Sequence, residues 1–194
     1  AEEVQPDLTF RKVVSKSEEK LETVIKLVSK IGKDTVLIFC NHRDAVYRIS
    51  ETLTKKGVAN GSFHGGLEQV DRERSLMKFR NKSSRVLITT DLAARGLDIP
   101  EIGHVIHYQI PDKEDAFIHR NGRTARMKAK GVVYVMVTSD EHFEFIDPDM
   151  PIEDLSGNYK TINTTDFTTI YISAGKKDKI NKVDIVGYLI KIGG

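Results

Sequence analysis

The run Thr35-Val-Leu-Ile-Phe-Cys40 is apolar on both alternating faces of an extended chain, so as a strand it has no side that can be left in water. Such a strand must lie inside a sheet covered above and below. Helices to cover it flank the run. Leu21, Val24, Ile25, Val28 and Ile31 recur at helical spacing after Ser15 or Ser17, which can cap the helix, with Gly32 as the stop. Ala45, Val46, Ile49 and Leu53 mark a second helix within Arg43 to Lys56, ended by Gly57. The beat then repeats as a strand Val58 to Phe63, helix Leu67 to Lys82, strands Arg85 to Thr90 and Gly103 to Tyr108, helix Lys113 to Arg126 and strand Gly131 to Val137. Strands alternating with helices predict an α/β fold: an open, mostly parallel sheet with helices on both faces and right-handed crossovers. Ligands of such sheets gather in the loops at the carboxyl ends of the strands.

A length of 194 residues suffices for one well-cored domain, here expected over residues 1–140. Asp147-Pro-Asp-Met-Pro151 and Ser156-Gly-Asn158 carry turn chemistry, so residues 141–167 read as a linker. Residues 168–194 then predict a short strand-helix extension, Thr168 to Ser173 and Val183 to Ile192, joined by a basic turn at Gly175 to Lys179. Thirty Lys and Arg against 28 Asp and Glu leave a net charge of +2, which excludes a histone-like blanket of positive charge. Any nucleic-acid contact must be local. Cys40 has no second cysteine to pair with, and no basic-then-apolar leader precedes it, so a cytoplasmic location is expected. No apolar run approaches the roughly 20 residues of a membrane helix, and no membrane partner is expected.

The chemistry sits in ordered blocks. Arg123 and Arg126 lie three apart, so on a helix both side chains emerge on one face. A guanidinium pair suits a phosphate chain, since it presents planar forks of donors and keeps its charge. The stretch Thr89-Thr-Asp-Leu-Ala-Ala-Arg-Gly-Leu-Asp98, followed by His119-Arg-Asn-Gly-Arg-Thr-Ala-Arg126, resembles the fifth and sixth motifs of DEAD-box ATP-dependent RNA helicases. Leu37-Ile-Phe-Cys-Asn41 is similar to their fourth motif, and His64-Gly-Gly with Gln69-Val-Asp-Arg72 to the element after it. The resemblance covers Val13 to Val137 and points to the family's second, C-terminal RecA-like domain.

That resemblance implies the site. Arg123 and Arg126 take the place of the catalytic arginine fingers, and Asp98 and Gly96 that of nucleotide-binding residues, the Asp98 carboxylate accepting from ribose hydroxyls. Asn41, Gly66, Arg72 and Thr90 match positions that hold the RNA backbone, while Arg95, His119 and Arg120 are expected to organise the cleft. No G-x-x-x-x-G-K-[ST] loop and no Asp-Glu-Ala-Asp run occur, so the N-terminal RecA-like domain that cradles ATP and Mg2+ is expected outside this chain. The chain alone should not hydrolyse ATP and should bind no cofactor by itself.

Two positions depart from the family pattern. Ala125 replaces a glycine of the sixth motif, and Gln109 stands where an aspartate is usual, keeping hydrogen bonds but dropping a charge. His104 and His107 lie three apart in a strand, pointing to opposite faces, so no metal site is expected there. Cys40 reads as an inert core thiol. The segment Tyr171 to Lys179 with Val183 to Gly187 is similar to the opening of the RNA-recognition-like domain of DEAD-box helicases directed to structured ribosomal RNA. Two other functions are compatible with these blocks: a non-catalytic RNA-binding or RNA-chaperone module, and half of a DNA helicase. The His119-Arg120 opening of the sixth motif argues against the latter.

Overall fold

The computed structural model describes residues 7–94, 102–123, 130–161 and 165–193. Its strands are β1 (Leu8–Val14), β2 (Val36–Cys40), β3 (Asn60–Phe63), β4 (Val86–Thr90), β5 (His104–His107) and β6 (Gly131–Val137). Its helices are α1 (Lys20–Ile31), α2 (Arg43–Lys55), α3 (Gln69–Arg80), the short α4 (Asp91–Ala94), α5 (Glu114–Asn121) and α6 (Lys182–Gly193). The six strands form one sheet in the order β1-β6-β5-β2-β4-β3, with all pairs parallel.

The alternation of β2 explains the two layers. Val36, Ile38 and Cys40 point to one face and pack with Val24, Val28 and Ile49 of α1 and α2. Leu37 and Phe39 point to the other and pack with Phe79 of α3 and Phe117 of α5. All five residues of β2 are buried, and each such side chain contributes about 1.5–3 kcal/mol relative to exposure. The central strand therefore anchors both halves of the core. Because every strand runs the same way, the ends of β2, β3, β4 and β5 deliver Asn41, His64, Asp91 and Gln109 to one edge of the sheet.

Four differences from the sequence reading have physical causes. Leu8–Val14, left outside the predicted strands, is an edge strand paired to β6 from Leu8↔Gly131 to Val14↔Val137. Part of the stretch read as linker is packed: Ile146 and Met150 are buried in the α5-side core. Its backbone also meets β1, with Lys12 N–H donating to Pro151 O and Glu153 N–H to Lys12 O, both at 2.8 Å. The open donors and acceptors of an edge strand account for that pairing. Thr168 to Ser173 forms no strand: it lies beside the turn between α3 and β4, where Thr169 bonds Ser83 through its side chain rather than through a backbone ladder. Finally, the helix expected to reach Arg126 ends at Asn121, and Gly122, a poor helix former, follows at once.

Candidate functional site

Arg120 organises the carboxyl edge of the sheet. It projects from α5 and is only 1% exposed, so its charge must be met by protein groups. Asp91, at the start of α4, meets it with both oxygens: Nε donates to Oδ1 and Nη2 to Oδ2, each at 2.6 Å. The two forks lie face to face, the strongest pairing available to these groups. Nη1 donates to the Gln109 carbonyl at 2.6 Å and Nη2 to Asn41 Oδ1 at 2.8 Å, while the guanidinium lies 5.1 Å from the Phe39 ring centre. One side chain thereby ties together the ends of β2, β4, β5 and the helix α5.

Gln109 completes the tie. Its Oε1 accepts from the backbone N–H of Asn41 at 2.9 Å and of His42 at 3.4 Å, holding the turn into α2. An aspartate there would also accept, but would bring a negative charge to the turn. The neutral amide does the same work without that charge. Asn41 donates its own amide to the Ile110 carbonyl at 2.8 Å, so both ends of its side chain face protein partners. Beneath this layer His107 is fully buried, donates from Nε2 to Asn121 Oδ1 at 2.7 Å and packs 4.5 Å from the Phe117 ring. Burial lowers its pKa to about 3, the bond to Asn121 opposing and the Arg120 charge adding, which fixes it as a neutral ring. Cys40 is likewise inert, its thiol pushed up to about 12 by burial.

A groove of about 250 Å³ opens above the Arg120–Asp91 pair, walled by Phe39, Ala94, Ala116, His119 and Arg123. Arg123 lies just past the end of α5, its N–H donating to Arg120 O at 3.2 Å, so the turn rather than a helical face positions it. The expected partners Arg126, Asp98, Gly96 and Arg95 lie outside the described residues.

The β3 end forms a second, basic surface. His64 is buried, stands edge-on to the Tyr47 ring at 4.8 Å, and accepts the Gly66 N–H on Nδ1 at 3.2 Å. Burial lowers its pKa and the neighbouring Arg43 charge adds to the effect. A Cβ on Gly66 would lie 3.2 Å from His64 Nδ1 and 3.3 Å from Arg43 Nη1, so a side chain there would push both neighbours back by a few tenths of an ångström. The Gly66 amide is thus turned inward, while Arg72 holds a buried Nε with no hydrogen-bond partner among the described residues. Thr90, half-buried, ends β4. Asp91 is the residue that sequence reasoning left without a role. Its place in the Thr-Thr-Asp block was visible, but its partner lies 29 positions away.

Comparison with known proteins fits this architecture. Residues 19–128 match the model of the helicase conserved C-terminal domain. The chain is 41% identical over 132 residues to the ATP-dependent RNA helicase eIF4A of Mycosarcoma maydis, covering 68% of this chain and 32% of that protein. It is 36% identical over 140 residues to DEAD-box ATP-dependent RNA helicase 21 of Oryza sativa, covering 72% and 19% respectively. It therefore spans a third or less of these relatives' length. Among solved structures it is similar to E. coli SrmB (TM-score 0.67, 26% identity, 77% of this chain and 90% of that one). The C-terminal domain of Dbp5 superposes with a TM-score of 0.61 at 28% identity, over 70% and 78%.

Proposed function

Because the chain belongs to the DEAD-box RNA helicases, as their C-terminal RecA-like domain, we propose that it serves as the half of an ATP-dependent RNA helicase that closes over a nucleotide held by the other domain. The observation that carries this reading is Arg123 on the wall of a groove whose floor is the buried Arg120–Asp91 pair. A groove of about 250 Å³ falls short of the roughly 300 Å³ at which small-molecule sites begin, which suits half of a shared site. Among the described residues no group of three His, Cys, Asp or Glu could hold a metal, so Mg2+ would arrive with ATP on the facing domain.

In this reading Arg123, with Arg126 beside it in sequence, meets the charge that develops on the transferred phosphoryl group. Arginines supplied from outside the phosphate cradle are worth about 10³ to 10⁵ in rate. Arg120 acts differently: held by four hydrogen bonds, it positions the turn that carries Arg123. Asp98 and Gly96 would contact the nucleotide, and Arg95 and His119 would shape the cleft. Thr90 and Arg72 would face the sugar-phosphate backbone of single-stranded RNA, while Gly66, its amide taken up by His64, would let the strand pass close to the chain, with Asn41 bracing them. Contacts of that kind read no base sequence. Closure would bring these groups together and strain a duplex, and hydrolysis would release it. The cytoplasm, and structured ribosomal RNA as a target, belong to the same proposal.

The test is Arg123→Ala in the whole enzyme. RNA-stimulated ATP turnover should fall by at least about 10³ while RNA affinity in the absence of nucleotide stays within a few-fold. Undiminished turnover would refute the assignment. An intact parent protein that binds RNA yet never turns over ATP would make the chain a binding or chaperone module instead.

A further inference from the structure

Arg120 holds the last turn of α5 through one long side chain, which fixes its place but not its direction. Phe117, three residues earlier, anchors the helix by apolar packing, which is not directional. The residue after Arg120 supplies what is missing. Asn121 is the last residue of α5, is buried, and accepts from His107 Nε2 on its Oδ1 at 2.7 Å. Successive residues of an α-helix stand about 100° apart around the axis, so Arg120 and Asn121 grip one turn from two directions. Arg120 reaches Asp91, Gln109 and Asn41, and Asn121 reaches β5. The chain leaves that turn with Gly122 N–H donating to Ile118 O at 3.0 Å and Arg123 N–H to Arg120 O at 3.2 Å.

Packing alone does not account for the His107–Asn121 pair. The His107 ring lies 6.2 Å from the Phe39 ring and 4.5 Å from that of Phe117, contacts that a phenyl ring would also make. Its Nδ1 is buried with no hydrogen-bond partner among the described residues, so the polarity of the ring carries a cost. Replacing both partners of a buried bond by apolar groups of similar shape is often neutral or stabilising. What the bond adds, and an apolar pair cannot, is a restricted distance and angle.

We propose that His107 and Asn121 are positioning residues for phosphoryl transfer, their hydrogen bond setting the direction in which the end of α5 presents Arg123 to the groove. The inference rests on the reading of Arg123 as the arginine that meets the transferred group. Both residues are buried and act through the backbone of residues 120–123. A displacement of about 1 Å at a reacting group costs about 10²-fold in rate. Nucleotide binding, carried mainly by the facing domain in this reading, should change little.

The test measures ATP turnover of the whole enzyme at saturating RNA, with urea unfolding of the 194-residue chain read in parallel. His107→Phe combined with Asn121→Ala keeps the ring contacts and roughly the total volume but has no hydrogen bond. It should unfold at a urea concentration close to that of the unaltered chain, yet kcat should fall about 10²-fold with KM for ATP within a few-fold. His107→Gln, whose side-chain amide donates from the place of Nε2, should keep kcat within a few-fold. Should the double variant not fold, Asn121→Ala alone, favourable in a helix, should show the same split between kcat and KM. In an Arg123→Ala background, removing the bond should lower turnover no further, because the groups act as a unit. An unchanged kcat in the double variant, or a loss that recurs in full in the Arg123→Ala background or in His107→Gln, would overturn the positioning role. Undiminished turnover in Arg123→Ala would sink the reading of Arg123 and this inference with it. A loss there of about 10³-fold beside an unaffected double variant would sink this inference alone.

Discussion

Replacing Asp91 by asparagine should be among the most damaging single changes available at the carboxyl edge of the sheet. The substitution keeps shape but turns one acceptor of the Arg120 fork into an NH2 donor, so at least one bond of 2.6 Å becomes a donor facing a donor. Arg120 is 1% exposed and cannot turn to water, so the variant leaves a buried cation short of its counter-charge. Breaking a buried pair from one side costs about 3–5 kcal/mol. The Asp91 side chain is 36% exposed, which lets solvent screen part of the loss and favours the lower figure. Against a total of about 5–15 kcal/mol, a loss of about 3 is a large fraction. With a urea slope of about 2 kcal/mol per molar, the unfolding midpoint should fall by about 1.5 M. The double variant Asp91→Leu with Arg120→Met should recover only part of that stability: it removes the lone buried charge but leaves the Gln109 carbonyl and Asn41 Oδ1 without their donor. A single-variant shift under about 0.5 M, or a double variant as stable as the unaltered chain, would refute the view that this pair ties the strand ends together.

Two further outcomes can be measured on the chain itself. His107 is neutral when folded and has a pKa of about 3, against an ordinary value of 6.5, so the unfolded state binds the extra proton between those limits. Stability from this group is complete above about pH 6.5 and declines as pH falls toward 3. The unfolding free energy from urea titrations should drop from pH 7 to pH 5 with a slope from this ring of at most about 1.4 kcal/mol per pH unit, and the His107 ring signals in NMR should not titrate over that range. A ring midpoint above pH 5 would contradict the burial argument. Glu153, which pairs with Lys30 and lies 3.9 Å from Arg11, pins the segment 143–155 along β1. Glu153→Ala should cost about 1–2 kcal/mol and open that segment to limited proteolysis ahead of global unfolding, and equal protection in both proteins would count against the pinning role.

Much of this fold is written in short-range pattern. β2, β4 and β6 are apolar enough to require burial on both faces, and α1 and α2 carry their inward residues at helical spacing, so the parallel sheet and its loaded carboxyl edge follow. β1 escaped because Arg11 and Lys12 interrupt its apolar alternation, as an edge strand permits, and its partner β6 lies far along the chain. The packed segment 143–155 escaped because Asp147, Pro148 and Pro151 signal turns, while the burial of Ile146 and Met150 depends on a hollow built by other elements. At the site, the arginine-rich block was visible, but which arginine would be a buried strut and which would line the groove depends on where Asp91 lies in space.

The position of β1 sets a timetable for synthesis. Leu8 pairs with Gly131, so the first strand must wait for a partner about 120 residues later in the chain. At about 5–20 residues per second, the interval at the ribosome is roughly 6–25 seconds. Over that time a segment containing Leu8, Phe10 and Val13 emerges with its backbone ladder unmade, a natural client for chaperones that grip short extended stretches. Codon choice across β5 and α5 would then control how long the nascent chain stays exposed.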